Sequence, residues 1–181
     1  MEQTARDLES SFPGLKVLAI PTDITKKDQI DTAFERVQST FGRVNVLVSN
    51  AGFIGTPGPL HDMDPDEVWW AFEVHVKGTL HVLQAFRKVA AEKDAVVVDV
   101  SSIVAVLPAY PMASAYTASK MASTKLWEYF KVENPSIRVV SIQPGRIYTN
   151  MAVKLGIDGL DDSKNHPTCS YPVQMPWCIG D

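Results

Sequence analysis

The sequence is poor in cysteine and in basic charge, and it has no long apolar run. Its 181 residues include two cysteines, Cys169 and Cys178, which form neither a disulfide framework nor a metal-binding spacing. The net charge of −4 disfavours nucleic acid or an anionic membrane as a partner, because both are usually bound by a basic face. No segment approaches the roughly 18 consecutive apolar residues of a membrane span. We therefore expect a small molecule or a protein as partner, no metal, and a reducing compartment such as the cytoplasm.

The glycine-rich fingerprints of phosphate binding are also missing. Gly52, Gly55 and Gly58 are spaced through one segment but do not match Gly-x-Gly-x-x-Gly, the pattern that lets backbone approach a pyrophosphate. Together with Pro57 and Pro59 they predict a loop over residues 53–61.

Short apolar runs rich in β-branched residues alternate with longer amphipathic stretches. Continuous apolar runs suit strands buried on both faces, and their alternation with helices predicts a parallel sheet with right-handed crossovers. The 45% hydrophobic content is ordinary for a globular core. The predicted strands are Lys16–Ile20, Val44–Ser49, Ala95–Val100 and Ile137–Ile142, and the predicted helices are approximately Glu2–Ser11, Lys27–Phe41, Pro65–Ala91 and Ala115–Val132.

Local signals predict where two helices begin. Asp64 before Pro65 suits an N-cap followed by proline at the first helical position, and Glu67 completes the spacing of a capping box. Ser114 is the predicted N-cap of the later helix. From Asp158 onward the sequence has no periodicity, so we expect residues 1–151 to form one domain and residues 152–181 to form an irregular tail.

A tyrosine and a lysine lie four residues apart in the run Ser114-Ala-Tyr-Thr-Ala-Ser-Lys120. On a helix this spacing puts Tyr116 and Lys120 on the same face, where an ammonium can stand beside a phenol. A cation favours the phenolate, and lowering the phenol pKa by about three units requires roughly 4 kcal/mol. The spacing alone is more typical of a solvated helix face.

The order of motifs around this pair carries more information than the pair itself. The Tyr-x-x-x-Lys helix follows Asp99-Val-Ser-Ser102, and Ser49-Asn-Ala-Gly52 and Pro144-Gly145 follow two other predicted strands. In this order the chain resembles the short-chain dehydrogenase/reductase family, whose members are Rossmann-type oxidoreductases that use NAD or NADP. The resemblance covers roughly residues 1–151. It implies a doubly wound parallel sheet, here truncated to about four to five strands.

The resemblance also implies roles for individual residues. Ser102, Tyr116 and Lys120 match the family's catalytic serine, tyrosine and lysine, and Ser102 is preferred over Ser101 because it precedes the expected apolar tripeptide. Tyr116 would exchange a proton with a carbonyl oxygen that Ser102 polarises, and Lys120 would lower the Tyr116 pKa and bind the nicotinamide ribose. The implied cofactor contacts are Asp23, Asn50, Ala51, Gly52, Tyr116, Lys120, Pro144, Gly145, Ile147 and Thr149.

Several of these positions have a simpler interpretation that the residues alone leave open. Asp23 is equally a turn residue, and Ala51 and Gly52 on their own favour a tight turn. Ser102 could merely cap its strand. His75 stands where the family usually has an asparagine that fixes a water, so it is either a relay residue, since imidazole both donates and accepts, or a structural helix residue.

The chain also departs from the family's N-terminal pattern. No Thr-Gly-x-x-x-Gly-x-Gly turn occurs, so the expected pyrophosphate cradle is missing and the sheet is expected to expose apolar surface. Three functions therefore stay open. One is an NAD(P)-dependent oxidoreductase acting on a ketone or secondary alcohol, for which the resemblance to fungal and bacterial members suggests a place in secondary metabolism. Another is a non-catalytic relative that serves as a scaffold or dimer partner or has no activity. Because the family often pairs through two long helices, the resemblance also implies a homo-oligomer formed through helices 65–91 and 115–132. A nucleotide-sugar enzyme is disfavoured, because no further substrate domain fits after Met151.

Overall fold

A computed structural model describes residues 2–106, 112–145 and 149–154. From residue 27 onward the helices and strands alternate, as the sequence predicts. The helices are α1 (Glu2–Ser11), α2 (Lys27–Phe41), α3 (Pro65–Phe72), α4 (Gly78–Val89), α5 (Ser114–Glu133) and α6 (Asn150–Lys154), and the strands are β1 (Val46–Ser49), β2 (Ala95–Val100) and β3 (Ile137–Ile142). A π-helical segment, Glu73–Lys77, joins α3 to α4 in one continuous helical stretch.

The three strands form a parallel sheet in the order β1-β2-β3. Its register places Ser49 of β1 beside Asp99 of β2, and Asp99 beside Ser141 of β3. Because the strands are parallel, their carboxyl ends meet at one edge of the sheet. The segments that follow the strands therefore lie side by side, and this edge carries the candidate site.

The core lies between one face of the sheet and the helices α2, α4 and α5. The rings of Phe86 and Trp127 are fully buried and pack on inward-facing strand residues such as Val97. Trp127 and Phe130 add an edge-to-face aromatic contact at 5.6 Å between ring centroids. Alternation along the strands produces this layering, since every second side chain faces the helices. The prediction of a Rossmann-like parallel sheet flanked by helices is confirmed.

The opposite face of the sheet exposes apolar side chains in the described part of the chain. Val46 and Val48 of β1 are 57% and 58% exposed, and Val140 and Ile142 of β3 are 43% and 40% exposed. Monomeric proteins rarely leave such contiguous apolar surface in water. This is the exposed surface that the departure from the family pattern predicts.

The predicted strand Lys16–Ile20 is not a strand in the structure, so the sheet has three described strands rather than four or five. The backbone of Val17 donates to the Glu9 carboxylate at 3.0 Å, and no strand hydrogen bonds to this run within the described residues. Local β propensity is present, but a strand also requires a neighbour to satisfy its backbone groups. The run Lys16–Ile20 has the residues of a strand but no partner strand, and this is why the prediction was wrong.

At the starts of α3 and α5 the structure differs in part from the predicted capping interactions. Asp64 is the N-cap of α3, as predicted, and accepts a hydrogen bond from the Asp66 amide at 2.9 Å. Glu67 does not close a capping box, because its carboxylate accepts from the amide and hydroxyl of Thr56 in the neighbouring loop. Ser114 is the first helical residue rather than the N-cap, and its hydroxyl contacts the Met63 sulfur at 3.5 Å.

Gly78 permits a close contact between the long helical stretch and the turn before α2. A Cβ at this position would lie 2.7 Å from Cδ1 and 2.8 Å from Cγ1 of Ile24. His81, one helical turn after Gly78 in α4, also contacts Ile24, because its Nδ1 donates a hydrogen bond to the Ile24 carbonyl at 3.0 Å. A side chain at residue 78 would therefore push this turn away from α4.

Gly78→Ala is expected to destabilise the protein by about 1 to 2 kcal/mol, measured by urea denaturation. Overpacking costs about 1 to 3 kcal/mol, and the better helix propensity of alanine offsets up to about 1 kcal/mol. Ile24→Ala removes both clashing carbons, Cγ1 and Cδ1, so Gly78→Ala should become neutral or stabilising in that background. An equal loss in both backgrounds would contradict the packing explanation.

Candidate active site

The segments that follow β1, β2 and β3 bring most of the predicted site residues to one edge of the sheet. Asn50, Ala51 and Gly52 follow β1, Ser101 and Ser102 follow β2, and Pro144 and Gly145 follow β3 shortly after its end. Open α/β sheets bind ligands at this carboxyl edge, where successive backbone turns leave a crevice. Helix α5, which carries Tyr116 and Lys120, packs against the neighbouring helical stretch and β3.

Tyr116 and Lys120 lie on the inner side of α5, not on a solvated face. The Lys120 side chain is 7% exposed, and its Nζ donates to the Val100 carbonyl at the end of β2 over 2.9 Å. Tyr116 is half-buried, and its ring contacts the His75 ring edge-on at 5.4 Å between centroids. The spacing of four residues thus places a phenol and an ammonium together beside the strand ends.

The Tyr116 phenol differs from its prediction in one respect. Burial raises the pKa of Tyr116 above its ordinary value, and the Ser102 side chain opposes that change. The effect of burial is the larger one, so the Tyr116 pKa is raised, whereas the sequence predicted that Lys120 would lower it. Tyr116, whose ordinary pKa is 10.0, thus stays a protonated phenol at neutral pH and has a proton to donate.

The two serines after β2 differ in burial and in their hydrogen-bond partners. Ser101 is 6% exposed, and its hydroxyl hydrogen-bonds the Thr124 hydroxyl of α5 at 2.8 Å. Ser102 is half-buried and precedes the short 3-10 turn Ile103–Ala105. Its side chain interacts with the Tyr116 phenol and opposes the rise of the phenol pKa. Ser102 is thus the serine that can reach an oxygen held at Tyr116.

Gly52 allows backbone to pass directly beside the two buried basic groups of the site. A Cβ here would lie 3.3 Å from Nε2 of His75 and 3.8 Å from Nζ of Lys120. Any larger residue would fill the space next to the ammonium. The small residues Ala51 and Gly52 are themselves exposed, so a ligand can approach this backbone from the solvent side.

His75 is 2% exposed in the π-helical segment, and the protein satisfies both of its ring nitrogens. The Phe53 amide donates to Nε2 at 3.0 Å, which assigns the ring proton to Nδ1. Nδ1 then donates to Ser119 Oγ at 2.8 Å, and Ser119 in turn donates to the carbonyls of Ala115 and Tyr116. His75 therefore ties the loop after β1 to the start of α5, with no nitrogen left to hold a water.

The His75 ring is neutral. Burial, followed by the repulsion of Lys120, lowers the pKa of His75 from 6.5 to about 3. Protonation of Nε2 would also point a second N–H at the Phe53 amide. Of the two interpretations open from the sequence, these contacts support the structural one.

Asp23 occupies the turn before α2. Its Oδ1 accepts hydrogen bonds from the amide and hydroxyl of Thr25 at 2.9 and 2.8 Å, and these bonds lower the pKa of the Asp23 carboxyl. The structure thus shows the turn role that the sequence left open. No contact in the described residues joins Asp23 to Tyr116 or Gly52, so its cofactor role stays a prediction.

The segment after β3 is described in part. Gly145 has a φ of 81°, in the left-handed region that favours glycine, directly after Pro144. Ile147 lies outside the described residues. Thr149 precedes α6, and Lys154 of α6 stands over the Phe53 ring at 5.9 Å, which brings this segment to the loop after β1.

Sequence reasoning missed two residues that the fold brings into the site. Ser119 lies inside the Tyr-x-x-x-Lys run, but only the packing of α5 shows that it holds His75. Asp99 is a carboxylate in an apolar strand, 3% exposed, and that break in the pattern is the signal that could have found it.

The described residues contain no cluster of three or more potential metal ligands, and none of their helices is long and apolar enough to cross a membrane.

A small cavity of about 20 Å³ adjoins Tyr116. It lies between the loop after β1, α3 and the start of α5, and its lining includes Ile54, Met63, Val68 and Met112. This volume holds about one water molecule, and apolar side chains border the phenol on this side.

The fold and this edge of the sheet define a class of protein. Residues 1–158 match the family described as short chain dehydrogenase, so the chain belongs to the short-chain dehydrogenase/reductase family of oxidoreductases. It is 33% identical over 152 residues to the short chain dehydrogenase mpl6 of Monascus purpureus, a match that covers 82% of this chain and 52% of the relative. The oxidoreductase UcpA of Escherichia coli K12 is 31% identical, with 77% of this chain and 54% of the relative covered. The chain thus spans about half the length of these curated relatives.

Solved structures give the same family. An alcohol dehydrogenase from Thermococcus sibiricus, complexed with 5-hydroxy-NADP, superimposes with a TM-score of 0.76 at 27% identity, covering 82% of this chain and 62% of the other. A short chain dehydrogenase from Burkholderia cenocepacia in complex with NADP gives a TM-score of 0.68 at 30% identity, covering 78% and 59%.

Proposed function

We propose that this protein is an NAD(P)-dependent oxidoreductase that interconverts a ketone and a secondary alcohol. The observation that carries the proposal is the placement of Tyr116, Lys120 and Ser102 together at the carboxyl edge of the sheet. Lys120 is buried beside Gly52, and Ser102 acts on the Tyr116 phenol. A proton donor, a polarising hydroxyl and a cation are the groups that carbonyl reduction requires.

The residues present fit the nicotinamide end of such a cofactor. Gly52 leaves space beside the Lys120 ammonium that a side chain would fill, and both groups lie at the edge where α/β sheets bind dinucleotides. Asn50, Ala51, Pro144, Gly145 and Thr149 border the same edge and are the proposed further contacts. The cofactor, when bound, supplies the hydride. The two relatives solved with NADP or a derivative support a nicotinamide, and we leave NAD and NADP as alternatives.

The chain's own residues provide the proton chemistry. Ser102 donates a hydrogen bond to the substrate oxygen and holds it near the Tyr116 phenol. Tyr116, protonated at neutral pH, donates its proton to that oxygen as the carbonyl is reduced. In the oxidative direction the phenolate accepts a proton, so oxidation should become faster as pH rises toward the raised Tyr116 pKa. His75 and Ser119 fix the end of α5 that carries the phenol.

Exposed aromatic residues on two helices favour a second candidate, a homo-oligomeric partner without catalysis. Trp69 of α3 and Tyr129 of α5 are 64% and 63% exposed, and both lie in the ranges 65–91 and 115–132 expected to pair. Aromatic residues are enriched at protein interfaces. Catalysis and oligomerisation are compatible, so the question between the two candidates is whether the cofactor binds.

Titration of the purified chain with NADH and NADPH tests the proposal, with quenching of tryptophan fluorescence as the readout. We expect saturable binding of at least one cofactor. Gly52→Val should weaken it by about tenfold or more, which corresponds to about 1.4 kcal/mol, because the side chain fills the space beside Lys120. Gly58→Val is the matched control, since nothing lies within 4 Å of a Cβ at Gly58 and its φ is not in the left-handed region.

No binding of either cofactor at millimolar concentration would refute the oxidoreductase proposal and favour the non-catalytic partner. Equal binding by the two glycine variants would refute the placement of the nicotinamide end at Gly52. Circular dichroism of both variants establishes that they are folded. A role in secondary metabolism stays a prediction.

A further inference from the structure

Asp99 is a buried carboxylate that the proposed chemistry does not use. It lies near the end of β2 and is 3% exposed on the helix-covered face of an otherwise apolar strand. Burying a carboxylate is costly unless hydrogen bonds and an opposite charge compensate it. The surroundings of Asp99 supply both kinds of compensation.

The hydrogen bonds to Asp99 come from hydroxyl groups on the two neighbouring elements. Ser141, its partner across the sheet, donates to Oδ2 at 3.0 Å, and the Thr124 hydroxyl of α5 also stabilises the carboxylate. Both donors are neutral. They hold the carboxyl group in place but leave its charge unbalanced.

Among the described residues, Lys120 is the cation whose charge favours the ionised form of the Asp99 carboxylate. Lys120 and Thr124 are one helical turn apart, so they share the face of α5 that packs toward β2. Lys120 Nζ donates to the carbonyl of Val100, the residue directly after Asp99. The ammonium and the carboxylate thus interact through space at the same strand end, without a direct hydrogen bond.

The burial of both groups makes this interaction consequential. Burial lowers the pKa of Lys120, and the Asp99 carboxylate raises it again. Burial likewise raises the pKa of Asp99, and Lys120 opposes that change. Among the residues that the structure describes, the other titratable groups near Lys120 are His75, which is neutral, and Tyr116, a protonated phenol. Asp99 is therefore the negative charge of this buried cluster.

We propose that Asp99 is a positioning residue: its buried carboxylate, on the face of β2 that α5 covers, stabilises the charged form of the Lys120 ammonium. Lys120 carries the charge to the edge of the sheet, next to Gly52 and Tyr116, and Asp99 sustains that charge from inside the core. The consequence for catalysis rests on the proposed function, since it requires a charged Lys120 to hold the cofactor. The coupling between the two side chains does not depend on any cofactor.

The test is an NMR titration of the Lys120 side chain in the wild-type protein and in Asp99→Asn, without cofactor. Asparagine keeps the size and can still accept from Ser141. We expect the acid dissociation constant of the Lys120 ammonium to rise by about tenfold or more, since an opposite charge nearby typically shifts a pKa by 1 to 3 units. Ser141→Ala removes a hydrogen bond but no charge, so it should change this constant less than twofold.

The reciprocal measurement keeps the proposal testable if Asp99→Asn does not fold. Lys120→Met should lower the acid dissociation constant of the Asp99 carboxyl by a comparable factor, because the coupling free energy of two sites is shared. Unchanged titration of Lys120 in Asp99→Asn, or of Asp99 in Lys120→Met, would overturn the proposal. Normal coupling in a chain that binds no NADH or NADPH would refute the oxidoreductase function alone.

Discussion

Tyr116→Phe is expected to lower the rate of ketone reduction by about 10²- to 10⁴-fold, the usual contribution of a positioned acid. The phenol is protonated at neutral pH, since its ordinary pKa of 10.0 is raised further by burial, and the Ser102 side chain lies close enough to oppose that rise. Phenylalanine keeps the ring, and therefore the edge-on contact with His75 at 5.4 Å, but it has no proton to donate. NADH and NADPH affinity should stay nearly unchanged.

Tyr129→Phe is the matched control for this prediction. Tyr129 lies on the same helix but is 63% exposed, so the loss of its hydroxyl should leave the rate within a factor of about two. The measurement is the oxidation of NADPH and NADH over a panel of ketones, followed by absorbance. Turnover by Tyr116→Phe at the wild-type rate would remove Tyr116 from the proposed chemistry.

Acidification is expected to destabilise the folded protein through His75. Its pKa is 6.5 as a free side chain and about 3 in the fold, so the unfolded state binds the proton more readily between these values. The contribution of His75 to stability is therefore complete above pH 6.5 and decreases as pH falls toward 3. Between about pH 7 and pH 5 this group alone should reduce the free energy of unfolding by about 2 kcal/mol.

Urea denaturation of the wild type and of His75→Asn across this pH range measures the effect. Asparagine does not titrate here, so the variant should lose stability less steeply with falling pH, although it starts from a lower value at pH 7. Asp99 contributes with the opposite sign, because its pKa is raised in the fold, and it is present in both proteins. His61→Asn removes an exposed ring and serves as the control. Parallel pH dependences for the wild type and His75→Asn would show that His75 is not neutralised by the fold.

The neutral, doubly bonded state of His75 also bears on how the site is assembled. The ring joins the Phe53 amide after β1 to Ser119 in α5, so the loop and the helix are fixed relative to one another. Gly52 lies within that loop, beside the same ring. His75 thus sets the spacing between the backbone proposed to meet the cofactor and the helix that carries Tyr116.

Much of the architecture follows from patterns that are local in the sequence. The bounds of α1 and α2 coincide with their predictions, because amphipathic periodicity extends to the ends of both helices. The strands β2 and β3 were predicted with the observed bounds from short β-branched runs between turn residues. Such elements are determined by their own residues, and motif order was enough to indicate the family.

Non-local contacts decided the remainder. Lys16–Ile20 has the composition of a strand but lacks a described neighbour, and Glu67 bonds to Thr56 instead of closing its own helix. The predicted helix 65–91 is interrupted by the π-helical segment that turns His75 inward. Each outcome depends on a partner distant in the sequence, which no local pattern specifies.

The sequence by itself determined the α/β class, the family, and the residue types available for proton transfer. The tertiary structure decided which state those residues adopt. Burial keeps the Tyr116 phenol protonated and His75 neutral, and packing directs the Lys120 ammonium to the Val100 carbonyl, near the buried Asp99. The physical reason is that protonation depends on desolvation and on charges brought together by folding, whereas motif spacing depends only on the chain.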